Sequence, residues 1–258
     1  MLRGRTARLL AARLLCAAAL AGVWQYLVAS GALTREAVAA PTEIVRALGS
    51  LVTTTEFWTT AGDTVRTWAI GLDLSLVIAL PAGLLFGASE LAYRMSRITV
   101  DFLRTIPPIA LLPLALLLYG ATEKMALVLV VFGSVWPLLL QTMYGVHQID
   151  PVTADVARAY RLPRSQRVRA VMLPSAAPFI ATGVRIAATI SLLLAIGAEL
   201  LGGAAGLGNA IAQAQQTQDM PTMYAFVLVS ALLGVALNLA MTRAERSVLS
   251  WHPAHRNR

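Results

Sequence analysis

Apolar residues in this chain fall in runs too long for the strands or helices of an ordinary core. Six stretches, Leu9–Ala29, Thr67–Ala88, Ile98–Tyr119, Met125–Val146, Phe179–Leu201 and Met223–Met241, each hold about twenty mostly apolar residues, the length a helix needs to cross a bilayer. The pattern predicts an all-α, polytopic helical bundle with six transmembrane helices, forming a single transmembrane domain over residues 1–258. An even number of crossings leaves both termini on one side. The first run follows Arg3, Arg5 and Arg8 as a signal peptide's would, but it continues to Ala29 and carries Trp24 and Tyr26, which reads as a retained anchor.

Two connecting features add detail. After Pro41-Thr42-Glu43, the residues Ile44, Val45, Leu48, Leu51 and Val52 recur at helical spacing. They read as an external amphipathic helix on the membrane surface, with Phe57 and Trp58 at headgroup depth, or as a plain external loop. The third run meets Pro107, Pro108 and Pro113, each of which removes a backbone donor. A broken span survives where protein or a water-filled cavity satisfies the freed carbonyls, so this one is placed in the bundle interior.

Composition agrees with lipid as the main solvent, with 57% hydrophobic and only 13% charged residues and a mean hydropathy of +0.68. The net charge of +8 raises nucleic-acid binding, but the basic residues sit at the ends of apolar runs, where they set membrane orientation instead. With cytoplasmic termini, the inside segments hold arginines 3, 5, 8, 13, 94, 97, 158, 161, 164, 167, 169, 243, 246, 256 and 258. Outside remain Arg35, Arg46 and Lys124, with Arg66, Arg104 and Arg185 near span ends left uncounted. Both termini are therefore expected in the cytoplasm. Cys16 is the one cysteine, which excludes an intrachain disulfide framework.

Between the fourth and fifth runs lies a segment from Ile149 to Pro178 with its own helical signals. Asp150 is an N-cap residue, Pro151 suits the first helical position, and Val152, Val156 and Tyr160 follow on one face. Leu162 precedes a proline, so the chain turns near Arg161. A second helix from about Pro163 carries Val168, Val171 and Met172 on one side and Arg164 and Arg167 on another, and is expected to end at Leu173-Pro174. Two short amphipathic helices outside the membrane are suited to docking on another protein.

That segment resembles the EAA loop of permease subunits of binding-protein-dependent ATP-binding-cassette (ABC) importers, whose pattern is E-A-A, three residues, G, nine residues, I-x-L-P. Asp155, Val156 and Ala157 stand for E-A-A, Arg161 for the glycine, Val171 for the isoleucine, and Leu173-Pro174 for L-P. A glycine at the fourth of these positions implies a left-handed backbone, which arginine adopts at a cost of about 1–2 kcal/mol. Thr105 to Pro113, Tyr119 to Lys124, Ala198 to Leu201 and Gly206-Leu207-Gly208 are similar to stretches of the nitrate, sulfonate, taurine and bicarbonate branch. The resemblance implies a bacterial inner-membrane permease working as a homodimer with a cytoplasmic ATPase and an external solute-binding protein. It implies a small oxyanion or sulfonate as the solute, with a pyrimidine-type vitamin precursor as the alternative. The implied ATPase-docking residues are Asp155, Val156, Ala157, Arg158, Tyr160, Arg161, Arg164, Val171, Leu173 and Pro174.

The chain holds no phosphate-binding G-K-[ST] loop, since Lys124 is its one lysine and lies between Glu123 and Met125. No cofactor is expected on this chain, and ATP belongs to the partner subunit. His147, His252 and His255 form no catalytic constellation with a nucleophile, so an enzyme is not expected. A self-contained channel or secondary transporter stays open as the rival, because Asp73, Arg104, Arg185 and Glu199 lie within spans. The two arginines are within snorkelling reach of the interface. Asp73 reads as a pathway residue or as the partner of a neighbouring span. Glu199, just before Gly202, Gly203, Gly206 and Gly208, reads as part of an external gate or as a plain interfacial carboxylate.

Overall fold

The computed structural model describes residues 2–32, 34 and 37–248. Every regular element among them is helical: α1 (Leu2–Ala29), α2 (Pro41–Leu51), α3 (Thr55–Gly87), α4 (Glu90–Leu103), α5 (Leu112–Tyr119) after a 3-10 turn (Pro108–Leu111), α6 (Glu123–His147), α7 (Pro151–Ala159), α8 (Arg164–Arg167), a π turn (Val168–Met172), α9 (Leu173–Gly202), α10 (Leu207–Gln216) and α11 (Met220–Val248). α3, α6, α9 and α11 are long and apolar enough to cross a bilayer, and α4 with α5 makes a fifth crossing if that bent pair is one span. In α1 the apolar stretch with described side chains, Leu15–Ala29, is shorter than a crossing helix.

The core forms where α6 packs between α3 and α9. On α3 the residues Gly71, Ser75, Ala79, Gly83 and Gly87 recur every four positions and are all buried. This small-residue face brings the α3 backbone against α6 closely enough that a Cβ at Gly83 would lie 2.6 Å from Cβ of Thr142. Lipid tails are as apolar as leucine, so helices in a membrane associate through such close contact and through hydrogen bonds between helices. Here the Ser75 and Ser134 hydroxyls bond to each other at 2.8 Å, and the Trp68 indole N–H donates to the Ala188 carbonyl at 2.8 Å. Side-chain bonds of this kind contribute about 0.6 kcal/mol each in a membrane.

Several helices differ in extent from the apolar runs. α3 begins twelve residues before Thr67, with the Thr54 hydroxyl accepting from the Phe57 N–H at 3.3 Å. Phe57 and Trp58 therefore stand on the first turns of α3. Phe57 is buried with Leu207 and Phe226, while Trp58 is exposed and donates to the Val52 carbonyl at 3.0 Å. The expected amphipathic helix forms as α2, whose first turn is closed by the Glu43 carboxylate accepting from the Ala40 N–H at 3.0 Å, and its Ile44, Leu48 and Leu51 pack with Ala225 and Tyr224 of α11.

The third run does not lie in the interior of the single-chain bundle. It bends by 69° between α4 and the 3-10 turn, where Pro107 and Pro108 supply no backbone donor. The bend lies at the periphery of the single chain: Ala115 is the one buried residue of α5, and Leu114, Leu117 and Leu118 are exposed. The interior is already filled by α6 and α9, whose Gly133, Ala195 and Ala198 admit close packing. α4 also begins eight residues before Ile98 and carries a charged stripe in which Asp101 pairs with Arg97 at 3.6 Å and Arg104 at 3.0 Å. Arg185 likewise pairs with Glu245 of α11 at 3.3 Å.

Candidate functional site

The 150–178 segment folds as its local chemistry dictates up to the turn. The Asp150 carboxylate accepts from the N–H and the hydroxyl of Thr153, both at 3.2 Å, which caps α7. α7 ends in a Schellman arrangement, the Leu162 N–H donating to the Ala157 carbonyl at 3.1 Å, with Arg161 between them at φ +50°. The left-handed backbone that the resemblance implied is therefore present, with arginine in place of glycine.

Beyond the turn the structure overturns one expectation. The second helix does not end at Leu173-Pro174 but runs through the π turn into α9, so the segment is mechanically continuous with a long spanning helix. A proline in a regular α-helix clashes with the carbonyl four residues back and leaves it unpaired. The wider i to i+5 turn directly before Leu173 absorbs that misfit at Pro174.

Exposure divides the docking residues in two. Val152, Val156 and Tyr160, on one face of the α7 segment, are 67%, 51% and 78% exposed, so that apolar face has no cover among the described residues. Asp155, Arg161, Leu173 and Pro174 are exposed as well, and Val171 is half-buried. Ala157 is only 2% exposed and belongs to the internal packing of the segment. The side chains of Arg158 and Arg164 lie outside the described residues. The segment is anchored to the bundle by Met172 and Ala176, which pack with Val146 at the end of α6. Beside that anchor, His147 stacks on Tyr93 at 4.1 Å between ring centroids and approaches Glu90 at 3.5 Å. The sequence offered no signal for this trio, since its members come from two helices far apart in the chain.

At the other end of α9, Glu199 is fully buried within the chain. Its Oε2 accepts from the Thr64 hydroxyl at 2.8 Å and from the Gly208 N–H at 3.0 Å, and the Thr64 oxygen accepts from the Leu207 N–H at 2.8 Å. Two orphan donors at the N-terminus of α10 are thereby satisfied by one carboxyl group and one hydroxyl. Glycine is required at both nearby positions. Gly206 holds φ +146°, and a Cβ there would lie 2.3 Å from the Glu199 carboxyl carbon. A Cβ on Gly208 would lie 2.2 Å from the Ile196 carbonyl oxygen. Thr64 was missed from the sequence, yet it lies in helical phase with Trp68, Gly71 and Ser75 on the packed face of α3.

Asp73 does not join this cluster. It is exposed near the middle of α3, with no hydrogen-bond or ion-pair partner among the described residues. Nor do three His, Cys, Asp or Glu side chains converge as a metal-binding set among those residues.

Residues 76–250 match the family described as binding-protein-dependent transport system inner membrane component. A protein described as an aliphatic sulfonates transport permease, SsuC of Bacillus subtilis, is 27% identical over 242 residues, 94% of this chain and 88% of its own. The bicarbonate transport system permease protein CmpB of Synechococcus elongatus is 32% identical over 194 residues, covering 75% of this chain and 69% of that one. Among solved structures, a chain of the MetNI methionine ABC transporter in an inward-facing conformation superposes with a TM-score of 0.66 at 22% identity, over 75% of this chain and 96% of that chain. At that identity the likeness is one of fold.

Proposed function

We propose, from the premise that this chain belongs to the family of inner-membrane components of binding-protein-dependent transport systems, that it forms the translocation pathway of an importer for a small oxyanion or sulfonate. It is a multi-pass membrane permease and not an enzyme. In this reading it crosses the bacterial inner membrane six times, α1 included, with both termini in the cytoplasm, and residues 1–258 form one permease domain. Two copies face each other, and the exposed, proline-broken side of α4 and α5 turns toward the second copy and the pathway. ATP is consumed by a separate cytoplasmic ATPase, and the solute arrives on an external binding protein.

The observation that carries this reading is the uncovered face of α7. Three large apolar side chains on a capped helix outside the spans need a protein partner, and the segment holding them runs without a break into α9. Closure of the ATPase would move α7 and thereby α9, tipping the bundle between inward-open and outward-open states. At the far end of α9, the Glu199, Gly206 and Gly208 corner holds α10 and serves as the hinge of the external gate. Asp73 lies on a face that must meet water or protein, since an unpaired carboxylate in lipid is costly. The sulfonate assignment follows the relatives' names, which sort with sulfonate and bicarbonate.

The test is uptake into proteoliposomes holding the chain with its ATPase and its loaded binding protein. Labelled sulfonate or nitrate should accumulate only with ATP inside the compartment that holds the ATPase. Uptake by the chain alone would favour a secondary transporter, and uptake of a labelled pyrimidine precursor but neither anion would replace the solute class.

A further inference from the structure

Between α7 and the π turn lies an apolar notch of about 340 Å³. Val152, Val156 and Tyr160 with Thr153 form one wall, Leu162 and Val171 the other, and the buried Ala157 contributes its base; the Thr153 hydroxyl is engaged with Asp150. A recess this apolar holds water poorly, because a water molecule needs two or more polar partners. It is large enough to admit a bulky side chain. Three arginines of the same segment, Arg161, Arg167 and Arg169, are exposed, and none makes an ion pair among the described residues. A surface approaching the notch must therefore bring apolar bulk and negative charge together, since like charge would oppose the contact.

We propose that the notch is a socket for a single bulky apolar side chain, aromatic, leucine or methionine, projecting from an acidic patch of the partner ATPase. The inference rests on the ATPase-docking reading and adds the direction and chemistry of the contact: the permease receives a knob as well as presenting the ridge of α7. Protein suits the site better than lipid, because the wall carrying Val152 and Val156 belongs to α7, which lies outside every helix long and apolar enough to cross a bilayer.

The experiment uses the full-length chain and the ATPase that co-purifies with it from its own membranes, identified by mass spectrometry. A benzoylphenylalanine photo-crosslinker replaces Val156 at the notch or Tyr160 at its outer edge, and adducts are sequenced. The crosslinker at Val156 should join one ATPase peptide that carries a bulky apolar residue beside Asp or Glu. In parallel, Val156→Trp, which fills the notch with apolar bulk, should lower the ATPase yield at least tenfold at unchanged membrane abundance. The double variant Arg167→Glu with Arg169→Glu should also lower the yield, and should abolish its dependence on ionic strength. If Tyr160 crosslinks to the ATPase while Val156 does not and Val156→Trp keeps full yield, docking stands and the socket is overturned. Phospholipid adducts at Val156, or a basic ATPase peptide there, overturn it equally. If neither position touches the ATPase that the intact chain still carries, the docking reading itself falls.

Discussion

The two ends of α9 handle exposed polar backbone and apolar side chains in opposite ways. At the Glu199 end, a carboxylate, a hydroxyl and two helix N–H groups close on one another in full burial, and glycines let α10 approach within contact of α9. At the 150–178 end, caps and a turn fix the backbone, but three large apolar side chains remain open. The first region satisfies both α10 donors within one chain, with Glu199 Oε1 alone lacking a hydrogen-bond partner among the described residues, whereas the second leaves a whole apolar face open. A substitution at the first should therefore act on the folded chain, whereas a substitution on the open face of the second should act on assembly.

The largest effect is expected from Gly208→Val. The added Cβ meets a backbone oxygen at 2.2 Å, which no side-chain rotation relieves. Membrane abundance by immunoblot should fall to a small fraction of normal. Normal abundance would mean that α10 is not pressed against α9, and would erase the contrast between the two ends.

Next comes Glu199→Leu, which leaves the Gly208 N–H and the Thr64 hydroxyl without their acceptor. Unsatisfied buried groups cost roughly 1–3 kcal/mol each, so a loss of about 2–4 kcal/mol is expected in the thermal unfolding of the purified chain. Glu199→Gln keeps a carbonyl acceptor in place and should lose less than half as much. Equal losses from the two would show that the negative charge, and not the hydrogen-bond geometry, holds α10.

Val156→Asp sharpens the comparison from the other side. The position is half exposed, so stability should change by no more than about 0.5 kcal/mol, while co-purification of the ATPase should drop at least tenfold. Ala157→Glu cannot make this separation. That side chain is 2% exposed, and an unpaired charge there would disrupt the segment's own packing before any docking is tested.

The smallest effect is that of Arg161→Gly. Relief of a left-handed arginine gives about 1 kcal/mol at most, partly offset by the greater freedom of glycine in the unfolded chain. Slower proteolysis within the 150–178 segment, with transport unchanged, is the expected outcome.

What the sequence made legible followed from local rules. Cap, proline and apolar spacing placed α7 and its turn, because each is decided within a few neighbours, while the left-handed residue at Arg161 was implied by the glycine of the family pattern it resembles. Apolar runs located α3, α6, α9 and α11, the four helices long and apolar enough to cross a bilayer, but not their ends, since α3 and α9 extend past the bilayer-length stretch into polar turns that hydropathy does not mark. The π turn was not legible, because Pro174 reads as a stop unless the preceding turn widens to admit it. Glu199 could be singled out as an ionisable residue beside glycines, but its partner Thr64 lies 135 positions away and is joined to it only by the packing of α3 on α9. The buried small-residue face of α3 was present in the sequence at a four-residue interval, and marked helix packing where only hydropathy had been read.

The most direct test of the division between the two ends is to take Val156→Asp and Glu199→Leu through the same two assays, thermal unfolding of the purified chain and recovery of the ATPase with it. Val156→Asp should lose the ATPase at an unchanged unfolding temperature. Glu199→Leu should unfold several degrees lower, and the fraction that remains folded should still carry the ATPase. The opposite pairing, with Val156→Asp unfolding early and Glu199→Leu losing only the ATPase, would contradict the account.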